Sequence, residues 1–176
     1  MIAVRWLEPD VAEDLAFAPA VVDVVNRAYA HAEVGLFATN IERTDVDDVR
    51  TSISRRETAV SLLEREVVGS VRARALDGQS GWFGALGVDP AAHGQGFGEA
   101  LVRFVEDEAT AAGRGAMQLE VLESIPIHPH LKRMREWYER RGYRETSRIP
   151  LAALHPEDAV RLLVAAMDVV TMRKQL

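Results

Sequence analysis

The feature that most constrains the fold is a strand-like segment that runs through closely spaced glycines into a helix-like segment. Residues 81–88 have the composition of a strand, and Gly94, Gly96 and Gly98 follow at alternating positions. Without side chains, such glycines allow successive backbone N–H groups to turn toward one anion. The helix that follows adds its free N-terminal amides and its dipole. The sequence therefore predicts a phosphate-binding loop between a strand and a helix.

Composition limits the classes of protein that this chain can represent. Its 176 residues are 48% hydrophobic and contain no linker-like or low-complexity stretch, which predicts one domain over residues 1–176. The net charge of -6 argues against a nucleic-acid partner. The absence of cysteine excludes disulfides, thiolate metal sites and a cysteine nucleophile. No apolar run resembles a signal peptide or a membrane span, so we expect a cytoplasmic protein without a membrane partner.

Hydrophobic periodicity predicts the order of strands and helices. Strands are expected at residues 2–7, 58–63, 67–75, 81–88, 117–122, 143–148 and 167–173. Helices are expected at residues 20–32, 44–55 with Thr44 as N-cap, 131–141 and 156–164, and from the glycine loop to Gly113. Because strands come first and alternate with helices only later, the pattern favours a mixed, largely antiparallel sheet covered by helices, rather than a doubly wound fold.

Two common nucleotide-binding loops do not fit the glycine-rich segment. A dinucleotide-binding loop requires its glycines directly after the strand, and its third glycine would fall at position 99. The chain has Glu99 there. A Walker A loop requires a lysine and a hydroxyl residue at the start of the helix, and Gly98-Glu99-Ala100 supplies neither. The loop is therefore expected to bind a phosphate-bearing cofactor of another kind.

Three segments in the second half of the chain together resemble the GNAT superfamily of N-acetyltransferases. Residues 88–101 (VDPAAHGQGFGEAL) resemble the coenzyme A loop of that family. Residues 117–121 (MQLEV) resemble the strand that usually follows, and residues 137–143 (WYERRGY) resemble its tyrosine helix. The resemblance is clear over residues 81–143, about a third of the chain by its motifs, and two motifs in order are more specific than one.

The resemblance implies a fold, an activity and a cofactor site. The fold would be a single-domain α/β GNAT fold with a central, mostly antiparallel sheet of about seven strands and four or five helices. The activity would be transfer of an acetyl group from acetyl-CoA to an amine, by direct attack in a ternary complex. Coenzyme A would contact the backbone of Leu86, Gly87 and Val88 and the loop residues His93, Gly94, Gln95, Gly96, Phe97, Gly98 and Glu99.

The resemblance also suggests which residues carry out catalysis. Tyr138 occupies the family's acid position, and a phenol can hydrogen-bond to and protonate a leaving thiolate. Glu120, in an otherwise apolar strand, corresponds to a glutamate that some members use as base, although projection into solvent is an alternative. Glu33, Glu123 and His128 are substitutes for the base.

The chain departs from the family pattern at places that affect the acceptor. His93 stands where most members have Arg or Gln, Leu131 stands where many have Asn, and residues 123–130 are longer than usual. The acceptor is expected to be a small-molecule amine or a peptide amine whose identity is open, as is the choice between acetyl and a longer acyl group. A homodimer and a monomer are both compatible with the sequence.

Other functional interpretations remain open at this stage. A CoA-binding regulatory or interaction module of the same fold would bind without turnover, and a nicotinamide-dependent oxidoreductase would bind NAD more tightly than coenzyme A. The seven basic residues within 132–148 fit either a solvated helix face or a contact to a 3′-phosphate. His128 and His130 lack further spaced ligands, so no metal site is expected.

Overall fold

The computed structural model describes residues 2–14, 16–37, 41–154 and 164–176, which form a seven-stranded sheet with flanking helices. The strands are β1 (Ala3–Trp6), β2 (Thr58–Leu63), β3 (Glu66–Ala75), β4 (Ser80–Val88), β5 (Ala116–Ile125), β6 (Arg144–Pro150) and β7 (Ala166–Gln175). The helices are α1 (Phe17–Ala32), α2 (Val46–Ser54), α3 (Phe97–Ala111), α4 (Pro129–Arg140) and the short α5 (Leu151–Leu154).

The strand order is β1-β2-β3-β4-β5-β7-β6. Strands β4 and β5 run parallel, and the other neighbouring pairs in the described sheet are antiparallel. This confirms the predicted α/β fold with a mostly antiparallel mixed sheet of seven strands. A helix joins β4 to β5 because parallel neighbours need a crossover connection.

Small differences from the sequence-based expectations have local causes. The N-cap of α2 is Asp45 rather than Thr44, since the Asp45 carboxylate accepts the N–H of Asp48 while the Thr44 hydroxyl donates to the Asp48 carboxylate. Helix α5 was not expected from the sequence. The predicted helix at residues 156–164 falls outside the described residues except for Val164, which lies in a bend.

Helices cover both faces of the sheet. Neighbouring residues Ala59 and Val60 on β2 point to opposite faces, and each is fully buried. Ala59 belongs to the core formed with α3, whereas Val60 packs with α1 and α2. The sheet is therefore a middle layer, with α1 and α2 on one side and α3 on the other.

Helix α1 approaches β4 closely at Gly87. A Cβ atom at Gly87 would lie 3.1 Å from the Val25 Cα and 3.3 Å from the Ala28 Cβ. Glycine therefore permits a helix-to-strand distance that a larger side chain would oppose. This contact places the C-terminal half of α1 over the part of β4 that leads to the glycine loop.

Candidate active site

A cleft opens between β4 and β5. The two strands pair only at Ser80↔Ala116, Gly81↔Met117 and Trp82↔Gln118, and then separate. Beyond Trp82, β4 remains paired to β3 but has no partner on its other edge within the described sheet. The result is a V-shaped opening with its vertex near Trp82 and its mouth at the glycine loop.

The free edge of β4 offers backbone groups to the cleft. The N–H of Asp89 donates to the Val68 carbonyl at 2.8 Å, toward β3. Because backbone groups alternate between the two edges of a strand, the N–H and C=O of Val88 and Leu86 point the other way, into the cleft. An extended polar chain could pair with these groups as an added strand does.

A β-bulge marks the middle of β4. Ser70 pairs with Gly87 and Arg72 with Gly84, so Ala85 and Leu86 together face a single residue, Val71. Ala85 has a φ of 47°, in the left-handed region that favours glycine. Bulges bend a strand and increase its local twist, and they occur often beside active sites. Here the bulge lies in the part of β4 that diverges from β5.

The glycine loop presents a row of free amides at the mouth of the cleft. Gly94 and Gly96 have φ values of 76° and 90°, and Gly96 is the N-cap of α3. In the described structure, the six N–H groups of residues 94–99 donate to no backbone or side-chain acceptor, and the first helical hydrogen bond joins the Ala100 N–H to the Gly96 carbonyl. Gly98 lies inside the first turn with an ordinary φ, so only two of the three glycines need their freedom.

His93 folds back onto the free edge of β4. Its Nε2 lies 3.1 Å from the Val88 carbonyl oxygen, and its ring packs edge-on against His31 of α1 at 5.7 Å between centroids. The predicted loop residue therefore contacts strand β4 as well as the loop. Its neighbour Gln95 is exposed, and its amide donates to the Ala91 carbonyl at 3.4 Å.

Tyr138 is buried on α4, beside the cleft. Its ring packs against Phe83 of β4, Tyr143 and Trp137, and it is 5% exposed. Burial raises the pKa of Tyr138 well above its ordinary value near 10, and the Tyr29 phenol adds to the increase. Tyr138 therefore keeps its proton at neutral pH and is a hydrogen-bond donor.

Tyr29 of α1 is a functional candidate that the sequence did not reveal. The Tyr29 phenol contributes to the raised pKa of Tyr138, although the two residues belong to different helices, α1 and α4. Burial raises the pKa of Tyr29 to about 12, and the charge of Arg43 offsets part of that rise. Tyr29 belongs to no local motif, and only the packing of α1 over β4 brings it here.

Glu33 and Arg43 form an ion pair next to Tyr29. The Arg43 guanidinium donates to the Glu33 carboxylate, whose side chain is 10% exposed, and it also lies over the Tyr29 ring at 5.4 Å. Burial raises the pKa of Glu33, and the hydrogen bond and charge of Arg43 counteract part of this effect. Glu33 is thus a largely buried carboxylate on the α1 side of the site.

Glu120 lies close to the vertex of the cleft, on the face opposite Tyr138. Its neighbours Leu119 and Val121 point into the core that includes Tyr138, so Glu120 projects from the other face of β5. Glu120 is exposed, and its carboxylate accepts hydrogen bonds from the Trp82 indole and the Gln118 amide. The two predicted catalytic residues therefore flank the sheet opening rather than contact each other.

The other two candidates for the base have structural contacts. Arg135 and Arg148 both bind the Glu123 carboxylate. Burial alone would raise the pKa of Glu123, but the hydrogen bonds from Arg148 and Arg135 outweigh it and hold the pKa below its usual value. His128 is the N-cap of α4, and its Nδ1 accepts the N–H of His130.

Most of the basic run at residues 132–148 is also used in internal contacts. Arg135 and Arg148 join α4, β5, β6 and β7 through Glu123, Glu145 and Asp168. Arg141 stacks on the Trp137 ring at 3.4 Å and pairs with Glu99 at 3.3 Å, which ties the end of α4 to the first turn of α3. The solvated, ion-paired face accounts for these arginines.

Comparison with known protein families gives a match over residues 55–145 to the acetyltransferase (GNAT) domain, which is just over half of the chain. The chain belongs to the GNAT acetyltransferase family. The resemblance seen in the loop, strand and tyrosine-helix motifs is therefore confirmed. No curated protein matches the sequence of this GNAT domain.

Solved structures share the fold of this GNAT chain at low sequence identity. PaiA N-acetyltransferase from Thermoplasma acidophilum, in complex with coenzyme A, has a TM-score of 0.72 and 13% identity over 100% of this chain and 99% of its own. An aminoglycoside 6'-N-acetyltransferase with coenzyme A has a TM-score of 0.72 and 14% identity, covering 98% and 96%. The yncA protein of Salmonella typhimurium, with its cofactor acetyl-CoA, has a TM-score of 0.66 and 19% identity, covering 100% and 94%.

The described residues of the GNAT chain contain neither a metal-binding cluster nor a membrane-spanning helix. Among residues 2–14, 16–37, 41–154 and 164–176, no three His, Asp or Glu side chains are grouped to hold a metal ion. Over the same ranges, no helix has both the length and the hydropathy needed to cross a membrane.

Proposed function

We propose that this GNAT protein, as one domain over residues 1–176, transfers an acetyl group from acetyl-CoA to an amine. The observation that carries the proposal is the free edge of β4, which begins beside Phe83 and ends at six unpaired amides of the glycine loop. Such an edge and loop suit an extended polar arm with a pyrophosphate at one end. The structures with coenzyme A bound and the family match support the same cofactor.

The residues that would hold coenzyme A fall into two groups. The amides of residues 94–99, together with the N-terminus of α3, would bind the pyrophosphate. The backbone of Leu86 and Val88, on either side of Gly87, would pair with the pantetheine arm. The Val88 carbonyl, which His93 already contacts, has a second lone pair that could accept a donor from the arm. Bound acetyl-CoA supplies the thioester whose acyl group is transferred.

Tyr138 would serve as the donor to the departing sulfur. Its raised pKa keeps the phenol neutral, and a phenol that holds its proton tightly stabilises a thiolate by hydrogen bonding. Its position against Phe83 places it at the part of β4 where the strands separate. Tyr29 of α1 would form part of the wall of the acceptor site at the same opening.

Glu120 would accept the proton that the amine loses, directly or through water. It lies two residues beyond the last β4–β5 pair, so it is next to the vertex toward which the arm would extend. Glu33 is the alternative, because its raised pKa favours proton uptake but its ion pair with Arg43 opposes it. The amine itself is expected to belong to a small molecule or a peptide, with no nucleic-acid acceptor, given the net charge of -6.

The deciding experiment measures binding and turnover separately. Calorimetric titration with acetyl-CoA is expected to show binding, and a panel of small and peptide amines is expected to include one that releases free thiol from acetyl-CoA. Binding without thiol release for any amine would instead indicate a CoA-binding module. Tighter binding of NAD than of acetyl-CoA would contradict the proposed cofactor.

The same assay separates the two candidate bases. With an amine that reacts, Glu120→Gln is expected to lower kcat by about 10²-fold at neutral pH and to remove the acidic limb of the pH–rate profile. Glu33→Gln is the matched control, because it also removes one carboxylate from the α1 side of the sheet. If only the Glu33 variant loses that limb, Glu33 is the base and the role of Glu120 is wrong.

A further inference from the structure

A second concave site lies at the opposite end of the sheet from the glycine loop. It is a cavity of about 390 Å³ beneath the C-terminal half of α3, next to the ends of β1 and β3 and the starts of β4 and β5. A cavity of this size is in the range that takes a small-molecule ligand. Its lining residue Gly81 lies seven positions before Val88 along β4, roughly 20 Å away, so the cavity is distinct from the glycine loop.

Four arginines line this cavity and outnumber its carboxylates. Arg55, Arg56, Arg74 and Arg114 line it, against Glu57 and Glu108. The Arg74 guanidinium itself lies over Trp82, on the face of the sheet opposite α3, because the neighbouring residues Ala73 and Phe83 point into the α3 core. Both carboxylates have other contacts, since Glu57 binds Arg72 at 3.0 Å and Glu108 accepts the Trp6 indole N–H at 2.8 Å. The cavity therefore has a net positive charge that its own glutamates do not neutralise.

Three of the four arginines are not committed to a carboxylate. Within the described part of the chain, Arg55, Arg74 and Arg114 form no ion pair, and Arg74 lies instead over the Trp82 ring at 5.0 Å. Arg56 pairs with Glu8, with both side chains more than half exposed, and such a pair is weak. Guanidinium groups without carboxylate partners, here those of Arg55 and Arg114, are suited to bind an oxyanion through paired N–H donors.

The backbone at Arg56 adds an independent observation. Helix α2 ends in a Schellman motif, in which the Glu57 N–H donates to the Ser52 carbonyl and the Arg56 N–H donates to the Ile53 carbonyl, each at 2.8 Å. Arg56 has a φ of 56°, at the position where glycine is strongly preferred. The chain thus places an arginine, at a cost in stability, where a glycine would fit better, and the side chain projects to the cavity.

We propose that this arginine cavity binds a small multivalent oxyanion, either a polycarboxylate or a phosphate compound. The charge selects an anion, and the volume limits the ligand to a small molecule. Because Arg55 and Arg56 lie at the end of α2 and Arg114 lies in the α3–β5 connection, more than one anionic group is favoured. Trp6 packs against Phe104 with 5.4 Å between ring centroids and forms one wall of the cavity. A signal from its indole should therefore change when a ligand occupies the cavity.

The test uses the full chain carrying Gly96→Asp, which disables the glycine loop as a competing anion site. Calorimetric titration with sodium citrate and with sodium pyrophosphate at low ionic strength is expected to show binding of at least one of them, and the two anions separate carboxylate from phosphate selectivity. Adding Arg55→Gln and Arg114→Gln is expected to weaken that binding at least tenfold, because each removes a guanidinium donor. Indole N–H signals in NMR spectra should shift for Trp6 and not for Trp137.

Control variants keep the result interpretable. Arg65→Gln removes an arginine from the β2–β3 turn, at the other end of the sheet, and should leave anion binding unchanged within about twofold. Arg114→Lys retains the charge but loses the fork of donors, and it should bind more weakly than the parent and more tightly than Arg114→Gln. Absence of binding by both anions, or binding that the two glutamine substitutions leave intact, would overturn the proposal.

Discussion

We propose two anion sites, one at each end of helix α3, built from different parts of the chain. At its N-terminus, the donors would be six backbone amides held by Gly94 and Gly96. At its C-terminal half, the donors would be arginine side chains from the end of α2 and from the α3–β5 connection. The helix dipole favours anions at the first site and opposes them at the second. Arginine side chains are therefore needed where the backbone gives no help.

The difference determines how each site fails. A backbone site depends on φ values and on the absence of Cβ atoms, so one substitution at a left-handed glycine should disrupt it, while charge removal elsewhere should not. A side-chain site depends on several charges, so it should weaken in steps as arginines are removed. Substitutions at the two ends should therefore have independent effects, since the sites share no residue and are far apart.

The largest effect is expected from Gly96→Asp at the N-terminal end. Its φ of 90° costs an aspartate roughly 1–2 kcal/mol, and the new carboxylate beside a pyrophosphate adds roughly 2–4 kcal/mol of repulsion at an effective dielectric constant of about 20. Together these predict about a thousandfold weaker binding of acetyl-CoA. Titration calorimetry measures the dissociation constant directly.

Gly98→Ala is the matched control for that substitution. Gly98 is two residues away, has an ordinary φ, and its added Cβ would lie 3.7 Å from the Val88 Cγ2, a normal contact. Acetyl-CoA binding should change by less than about threefold. Equal losses for both variants would mean that the loop requires small residues in general, rather than the left-handed backbone of Gly96.

The next largest effect is expected from Tyr138→Phe, which tests whether the N-terminal site leads to catalysis. Removing the phenol eliminates the donor to the leaving sulfur, so kcat should fall by about 10²-fold while the acetyl-CoA dissociation constant stays the same. Steady-state kinetics and calorimetry on the same preparation separate the two quantities. An unchanged kcat would contradict the assigned role of Tyr138.

Tyr143→Phe is the corresponding control in the core. The Tyr143 side chain is fully buried, and its hydroxyl donates to the Glu106 carboxylate at 2.7 Å, which Lys174 also binds at 2.7 Å. Loss of this hydrogen bond to a charged group should lower the free energy of unfolding by about 1.5–3 kcal/mol. Because Tyr143 acts in the core, kcat should remain near that of the parent protein.

The sequence predicted the strand, glycine loop and helix at the N-terminal end of α3 because their signals are local. These three segments are adjacent in the chain, so their order could be assigned before the structure, and the cofactor contacts of the loop stay a prediction. The opening of the sheet could not be predicted from the sequence, because it depends on β4 and β5 pairing at only three positions. Tyr29 was missed for a related reason, because α1 reaches the site only by packing closely on Gly87.

The arginine cavity lay beyond sequence reasoning altogether. Arg55 and Arg114 are 59 residues apart, and nothing in their local sequence distinguishes them from solvated surface arginines. The left-handed conformation of Arg56 was equally hidden, since Arg-Arg-Glu after a helix carries no glycine signal for a C-cap. Only the fold brings these side chains to one cavity.

The smallest effect is expected at the side-chain end, from Arg56→Gly. Glycine relieves the left-handed φ of 56°, and the exposed pair with Glu8 is worth little, so the free energy of unfolding should rise by about 0.5–1 kcal/mol. Chemical denaturation gives the value, and Arg55→Gly at the preceding residue, whose φ is -90°, is the control that should be destabilising.

The same Arg56→Gly protein should bind acetyl-CoA normally but citrate or pyrophosphate more weakly in the cavity. The substitution would then raise stability and lower anion binding at one residue. If it gained stability and lost no anion binding, the left-handed arginine would have no part in the cavity, and the two ends of α3 would differ less than we infer.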